Sequence, residues 1–265
     1  MTKLKLGIRL ESLGLPLRRA LQQAERFGVA GVQVDAAGEL SPNSLSQTGR
    51  REFMHLLRSH NLELTALGCP LRRGLDTVQD QQPRIEHVRK VMSLSFDLGP
   101  RIVIVQPGQI PEDASDPRST ILSESLQALS QHGDRTGTRL ALETGLESGA
   151  ILAQFIARFD SGGLGVNLDP ANLLLHGFDP LAGVRELQGR IVHAHAKDAR
   201  AASASRAAQA VPVGHGDIEW TEFLGVLEEV EYRGWLVVEQ ETGENRVADV
   251  AASVQFLRRF IGTES

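Results

Sequence analysis

Four times in the second half of this chain a short apolar run ends in a residue able to ligate a metal. The runs are Arg139-Leu-Ala-Leu-Glu143, Leu164-Gly-Val-Asn-Leu-Asp169, Ile191-Val-His-Ala-His195 and Trp235-Leu-Val-Val-Glu239. Each has the length of a buried strand, and a helical pattern follows each after a turn or loop. Packing alone does not explain such ends, because burying a lone carboxylate is costly. Their convergence on a shared partner does, and three carboxylates with one imidazole suit a divalent cation.

The first half carries four further strand-like runs, at 4–8, 31–35, 62–67 and 101–106. Apolar spacing predicts helices over 15–27, 46–59, 83–98, 119–136, 149–159, 220–230 and 245–260, with shorter ones at 170–175 and 180–187. Ser46 is a candidate cap, and Gly28 and the Gly99-Pro100 pair are candidate stops. Eight strands alternating with helices imply a parallel sheet with right-handed crossovers. In 265 residues that predicts one domain, 1–265, folded as a (β/α)8 TIM barrel with its catalytic groups at the carboxyl ends of the strands. Glu143 to Asp169 and Asp169 to His195 are equal steps, close to the roughly 30 residues of one βα unit. His195 to Glu239 is one unit plus a long loop. A doubly wound sheet is the alternative, but no Gly-x-Gly-x-x-Gly follows the first strand. The long segments 70–82 and 199–217 are expected on the face that carries the ligands, covering a pocket. The Ala/Ser/Arg-rich part of the second reads as irregular and mobile.

Composition narrows the partners. A net charge of −5 without a long basic run argues against nucleic acid. No apolar segment approaches a membrane span and no signal-like leader is present. The single cysteine, Cys69, cannot form an internal disulfide, which fits a reducing, cytoplasmic setting; it reads as a packed small hydrophobe. Homo-oligomerisation is left open.

The motifs resemble the xylose isomerase-like TIM barrels, a superfamily of sugar isomerases and epimerases that also contains ketose 3-epimerases, inositol-catabolism enzymes and endonuclease IV. The resemblance spans nearly the whole chain. It rests on Leu-Glu143, Asn-Leu-Asp169-Pro-Ala-Asn, His195-Ala-Lys-Asp198, Pro212-Val-Gly-His-Gly-Asp-Ile-Glu-Trp220 and Gly234-Trp-Leu-Val-Val-Glu239, in that order. It implies Glu143, Asp169, His195 and Glu239 as ligands of one divalent ion (Mn²⁺, Mg²⁺ or Zn²⁺), with Glu143 and Glu239 doubling as acid and base. The implied substrate is a small carbohydrate, a sugar, sugar phosphate or polyol, isomerised by proton transfer through an enediolate. Asn172, Gln106, Lys197 and His215 stand at the neighbouring strand ends and turns and are the candidate substrate-binding residues. Asn172 replaces the histidine that many members carry three residues after the strand-six aspartate. His215 occupies a Gly-x-Gly turn where an acidic residue is common. The endonuclease branch needs histidines at the ends of strands three and four, where this chain has Cys69 and Gln106.

Blander readings accompany these. Glu143 and Glu239 read, on the blander view, as partners in buried salt bridges. Asp169 precedes a proline and can cap a turn. His193 shares strand parity with His195 and reads as a core residue or a partner of the ligand set. Glu241 reads as a rim residue, and Arg72 and Arg73 as solvated or anion-binding. The alternative functions are an inosose dehydratase-like lyase on the same site, a metal-free glycosidase using the two glutamates, and a non-catalytic ligand-binding barrel.

Overall fold

A computed structural model describes residues 4–111, 113, 115–202 and 207–261. The strands are β1 (Lys5–Arg9), β2 (Gly31–Asp35), β3 (Glu63–Gly68), β4 (Ile102–Val105), β5 (Arg139–Glu143), β6 (Leu164–Leu168), β7 (Ile191–Ala196), β8 (Asp198–Arg200), β9 (Gln209–Val211) and β10 (Trp235–Val238). All but β8 and β9 close into one parallel barrel, in the order β1-β10-β7-β6-β5-β4-β3-β2. The strands are too apolar to face water on either side, so both faces must be covered. Outside them pack α1 (Leu17–Phe27), α2 (Gln47–Ser59), α3 (Gln81–Leu98), α4 (Pro117–Thr136), α5 (Gly149–Ile156), α6 (Pro170–Leu175), α7 (Pro180–Glu186), α8 (Trp220–Glu229) and α9 (Arg246–Leu257). None of the described helices is long and apolar enough to cross a membrane.

Local chemistry sets the helix ends. Ser46 Oγ accepts the Gly49 N–H at 3.1 Å and Ser148 Oγ accepts that of Ile151 at 3.3 Å, each satisfying an orphan donor of the first turn. Gly28 ends α1 with φ +63°, a left-handed conformation that favours glycine. Helix α4 begins two residues before the apolar pattern, because Pro117 is pre-set for a first helical position and Asp116 accepts the Arg118 N–H at 2.8 Å.

The barrel floor is plugged by an aromatic ring. A Cβ at Gly31 would lie 2.7 Å from Trp235 ring atoms and 2.6 Å from the Thr65 methyl, so glycine is required where β2 passes them. Ala66, Ile104 and Ala141 fill the interior above.

The segment after β7 differs from the irregular stretch expected. Strands β8 and β9 form an antiparallel ribbon, with Asp198 opposite Val211 and Arg200 opposite Gln209. The core of the stretch expected to be mobile, 203–206, lies outside the described residues. Asp198 explains the order of the rest. Its Oδ2 accepts the Gly214 N–H at 2.8 Å, the Gly216 N–H at 3.1 Å and Trp220 Nε1–H at 2.9 Å, and its Oδ1 lies 2.8 Å from Ala199 N and 3.3 Å from Ile218 N. One buried carboxylate thereby gathers donors that would otherwise go unpaired. The turn is drawn toward α9, where Val213 N donates to Ser253 Oγ at 3.0 Å.

Asp198→Ala is expected to cost at least about 2–4 kcal/mol, since several buried N–H groups lose their acceptor together. Urea denaturation checks this, with Asp198→Asn, which keeps an acceptor oxygen, losing less.

Candidate metal centre

The barrel brings the four strand-end residues to one point. Glu143 is the last residue of β5, His195 lies near the end of β7, and Asp169 and Glu239 directly follow β6 and β10. One ligand atom from each lies within 4.8 Å of all the others. His195 is central, its Nδ1 3.0 Å from Glu143 Oε1, 3.2 Å from Glu239 Oε2 and 3.6 Å from Asp169 Oδ2.

Backbone ties hold this arrangement. The Asp169 N–H donates to Thr144 Oγ1 at 2.8 Å, and Thr144 Oγ1–H donates back to the Asp169 carbonyl at 3.1 Å. Asp169 is a helix cap as well as a site residue. Its Oδ1 accepts the Asn172 N–H at 2.9 Å, while its Oδ2 is buried without a hydrogen bond. Glu239 Oε2 is the second buried oxygen with no hydrogen bond. Two such oxygens beside one imidazole nitrogen fit a cation, because buried carboxylate oxygens otherwise demand donors.

His195 is oriented from behind. Its Nε2–H donates to Gln33 Oε1 at 2.9 Å, which turns Nδ1 toward the carboxylates. Asn167 Nδ2 lies 3.1 Å from that Nδ1 and 3.4 Å from Glu143 Oε1. Asn167 Oδ1 is 2.8 Å from His193 Nδ1, whose Nε2 reaches Thr65 Oγ1 at 3.3 Å. His193 is therefore a buried partner of the ligand set, one of the two readings its strand parity allowed.

The electrostatics are strongly biased toward positive charge at the centre. Burial alone would lower the His195 pKa, but Glu239, Asp169 and Glu143 outweigh it and hold it well above the usual value. Burial pushes the Glu239 carboxyl up, and His195, Lys197 and Arg9 together hold it well below the usual carboxylate range. Arg9, at the end of β1, donates from Nη2 to Asp35 Oδ2 at 2.8 Å and from Nη1 to Glu239 Oε1. Lys197 Nζ donates to Glu241 Oε2 at 2.7 Å and lies 3.5 Å from Glu239 Oε2 and 3.8 Å from Asp169 Oδ2.

A cavity of about 180 Å³ opens over the cluster, lined among others by Arg9, Gln33, Asp35, Gln106 and Glu241 with Glu143, His195 and Glu239. Pro70 and Leu71 also line it, which puts the loop after β3 on the ligand face, as expected. The described part of 199–217, after β7, does not line it and is drawn to the Asp198 carboxylate and α9 instead. A larger depression of about 520 Å³ lies at the opposite, amino end of the strands, among Arg101, Gly137, Gly189 and Glu231; barrel chemistry belongs to the carboxyl end.

The candidate substrate residues divide. Gln106 is exposed and lines the cavity. Asn172 Oδ1 accepts from Lys197 Nζ at 3.3 Å, which places both beside the cluster. His215 is exposed on the turn held by Asp198 and is not part of the lining. Arg9, Gln33, Asp35 and Asn167 escaped the sequence reading. Arg9 and Asp35 had a legible signal, a charge at the end of a strand-like run; Gln33 and Asn167 depended on knowing which strands become neighbours. Glu241, expected at the rim, is half exposed but carries the Lys197 ion pair. Cys69 is buried, and burial with nearby Asp35 pushes its thiol up to about 12, so it is a poor nucleophile.

A parallel eight-stranded barrel with a Glu-Asp-His-Glu cluster at its carboxyl end defines a class, the barrels that can hold a metal ion there. The chain belongs to the Xylose isomerase-like TIM barrel family, whose sequence profile matches residues 21–260. Its fold is that of a xylose isomerase domain protein from Planctomyces limnophilus, at a TM-score of 0.85 and 24% identity over 98% of each chain. A D-tagatose 3-epimerase-like protein superposes at 0.78 with 20% identity over 97% of this chain and 98% of that one. A probable 3-DHS dehydratase from Bacillus anthracis superposes at 0.75 with 17% identity over 96% and 98%.

Two outcomes follow. Adding Mn²⁺ to metal-stripped protein should raise its melting temperature, by the equivalent of about 2.7 kcal/mol at a hundredfold excess over Kd, and His195→Ala should abolish the shift. The second concerns Glu147, on the loop after β5, whose Oε2 accepts the Ile110 N–H at 3.3 Å. Burial pushes its carboxyl up to about 7, with the Ile110 N–H opposing. Because the folded value is raised, the neutral form is favoured: the stability is fully present below about pH 4.5 and is lost as pH rises through 7. Glu147→Gln should therefore match wild type near pH 4 and exceed it by about 3 kcal/mol at pH 8. Denaturant midpoints across that range check it.

Proposed function

We propose that this protein is a metal-dependent isomerase or epimerase of a sugar or polyol, acting by proton transfer at a carbon next to a carbonyl. The observation that carries the reading is the pair of glutamates, Glu143 and Glu239, meeting at His195 and Asp169 beneath a small polar cavity, with Asp169 Oδ2 and Glu239 Oε2 left without hydrogen bonds. Glu143, Asp169, His195 and Glu239 hold the ion. When bound, a divalent cation supplies Lewis-acid polarisation of substrate oxygens.

The remaining work falls to side chains. Glu143 is the less buried of the two glutamates and lines the cavity, so its carboxylate is placed to take a proton from substrate carbon. Glu239 reaches the cavity from β10, on the other side of His195, and is the second carboxylate of the transfer, ionised while Glu143 carries the proton and protonated while Glu143 is ionised. Arg9 holds one oxygen of Glu239 and leaves the other toward the cluster. Gln106 offers a neutral group to substrate hydroxyls, and Lys197, paired with Glu241 and Asn172, stands beside the cluster. Leu71 and Pro70 roof the cavity and limit water. The same base, followed by loss of a β-hydroxyl, would give a dehydration, the reaction class in the name of the Bacillus anthracis relative. The His195 imidazole between the two glutamates, 3.0 Å from one and 3.2 Å from the other, counts against a glycosidase, whose two carboxyls must flank the scissile bond.

Glu143→Gln and Glu239→Gln are each expected to lower turnover by about 10²–10⁴-fold, with metal occupancy measured alongside. Turnover in deuterium oxide should place deuterium at the reacting carbon. Full activity in both metal-loaded variants, or turnover without exchange, would sink the acid–base assignment.

A further inference from the structure

The cavity above the cluster has a charge pattern that the metal site alone does not require. Its lining arginine, Arg9, is committed twice, to Asp35 and to Glu239. The buried Arg9 Nε has no hydrogen-bond acceptor, with Glu11 Oε2 3.8 Å away. Lys197 beside it is committed to Glu241 and lies between the Asp169 and Glu239 carboxylates. Arg72 and Arg73 are exposed on the covering loop and outside the lining, and Arg73 donates to Gln79.

Asp35 is the residue that makes this so. It is not one of the four clustered ligands. Its N–H donates to Glu11 Oε1 at 2.8 Å, fixing the end of β2. A Cβ at Gly68 on the adjacent strand would overlap Asp35 Oδ1, so the glycine clears the space the carboxylate occupies. Neighbouring strands thus accommodate a carboxylate whose evident contact is with Arg9.

We propose that Asp35 is a specificity-determining residue: by occupying Arg9 it leaves the cavity without a cation, among the described residues, free to receive an anionic group, so the substrate is an uncharged polyhydroxy carbonyl compound and its phosphate ester is turned away. The inference rests on the metal-centred reading above. Asp35, Glu143, Asp169, Glu239 and Glu241 face Arg9 and Lys197 around the floor, and a divalent ion offsets only part of that negative excess. A phosphate brings about −1.5 to −2 further charges and needs a free guanidinium or ammonium to neutralise them. A space of about 180 Å³ suits a monosaccharide-sized molecule and is smaller than the roughly 300–1,000 Å³ typical of drug-sized ligands. Gln33 and Gln106 line it with neutral groups, which suit hydroxyls.

The test uses Mn²⁺-loaded full-length wild type and Asp35→Asn, which keeps the side-chain size and an oxygen acceptor while removing the charge. Mn²⁺ binding is read first, by water-proton relaxation; failure of wild type to bind the ion strikes the metal-centred reading and this inference with it. Inorganic phosphate is then titrated against the bound ion. Asp35→Asn should bind phosphate about tenfold or more tightly than wild type, as expected for removing one nearby like charge, and Arg9→Gln in the same background should reverse the gain. Equal phosphate affinity in wild type and Asp35→Asn overturns the role of Asp35. In parallel, wild type is titrated with free pentuloses, hexuloses and inososes and with their monophosphates. Tighter binding of a free compound than of its phosphate is the expected result. Preference for a phosphate, or binding of none of them, overturns the substrate class.

Discussion

The structure depends on three carboxylates being held against one buried imidazole at the carboxyl end of a barrel. Glu143, Asp169 and Glu239 all approach His195 Nδ1 within 3.6 Å. Such a concentration of negative charge opposes folding unless positive charge is supplied. Arg9 and Lys197 supply some of it permanently, and the position of His195 invites a proton or a divalent cation to supply the rest. The site is thus an electrostatic trap for cations before it is anything chemical, and that property follows from burial.

The barrel makes the trap rigid. Each participating residue lies at or next to the end of a strand paired on both sides, so its backbone cannot relax away from like charge. Additional bonds tie the ends to one another. Thr144 joins the end of β5 to Asp169, and the Glu239 N–H donates to the Ala196 carbonyl at 3.1 Å. Gln33 on β2 sets the His195 ring from the far side of the barrel. Asp198 performs a different task, anchoring the turn before α8 away from the cavity. Two acidic residues of adjoining strand ends therefore have separate duties: Asp169 faces the cluster and Asp198 faces backbone amides.

Asymmetry between the glutamates comes from their neighbours. Glu239 is ringed by Arg9, Lys197 and His195, whereas Glu143 meets His195 and Asn167 and remains partly open to the cavity. Two chemically identical side chains thereby sit in different electrostatic surroundings. The family membership and the shared folds give the barrel and the place of the site, while the neighbours around Glu239 and Arg9 belong to this chain's own side chains.

Much of this was written locally. Apolar runs of strand length, helical spacing between them and an acid or histidine at each run's end are properties of contiguous residues, so the barrel and the Glu143, Asp169, His195 and Glu239 set could be read directly. The Ser46 cap and the Gly28 stop were legible for the same reason. What required the tertiary structure were contacts between residues far apart in sequence. The pairing of β1 with both β2 and β10 brings Arg9 to Asp35 and Glu239. Barrel closure carries Gln33 to His195. The segment after β7 looked irregular because its order comes from donors converging on Asp198 rather than from any repeating pattern, and for that reason His215 stands outside the cavity its position in the chain suggested. Sequence by itself determined which residues end the strands, since periodicity and burial act along the chain. Only the closed barrel decided which of those ends face one another, because charge–charge and hydrogen-bond partners are chosen by distance in space.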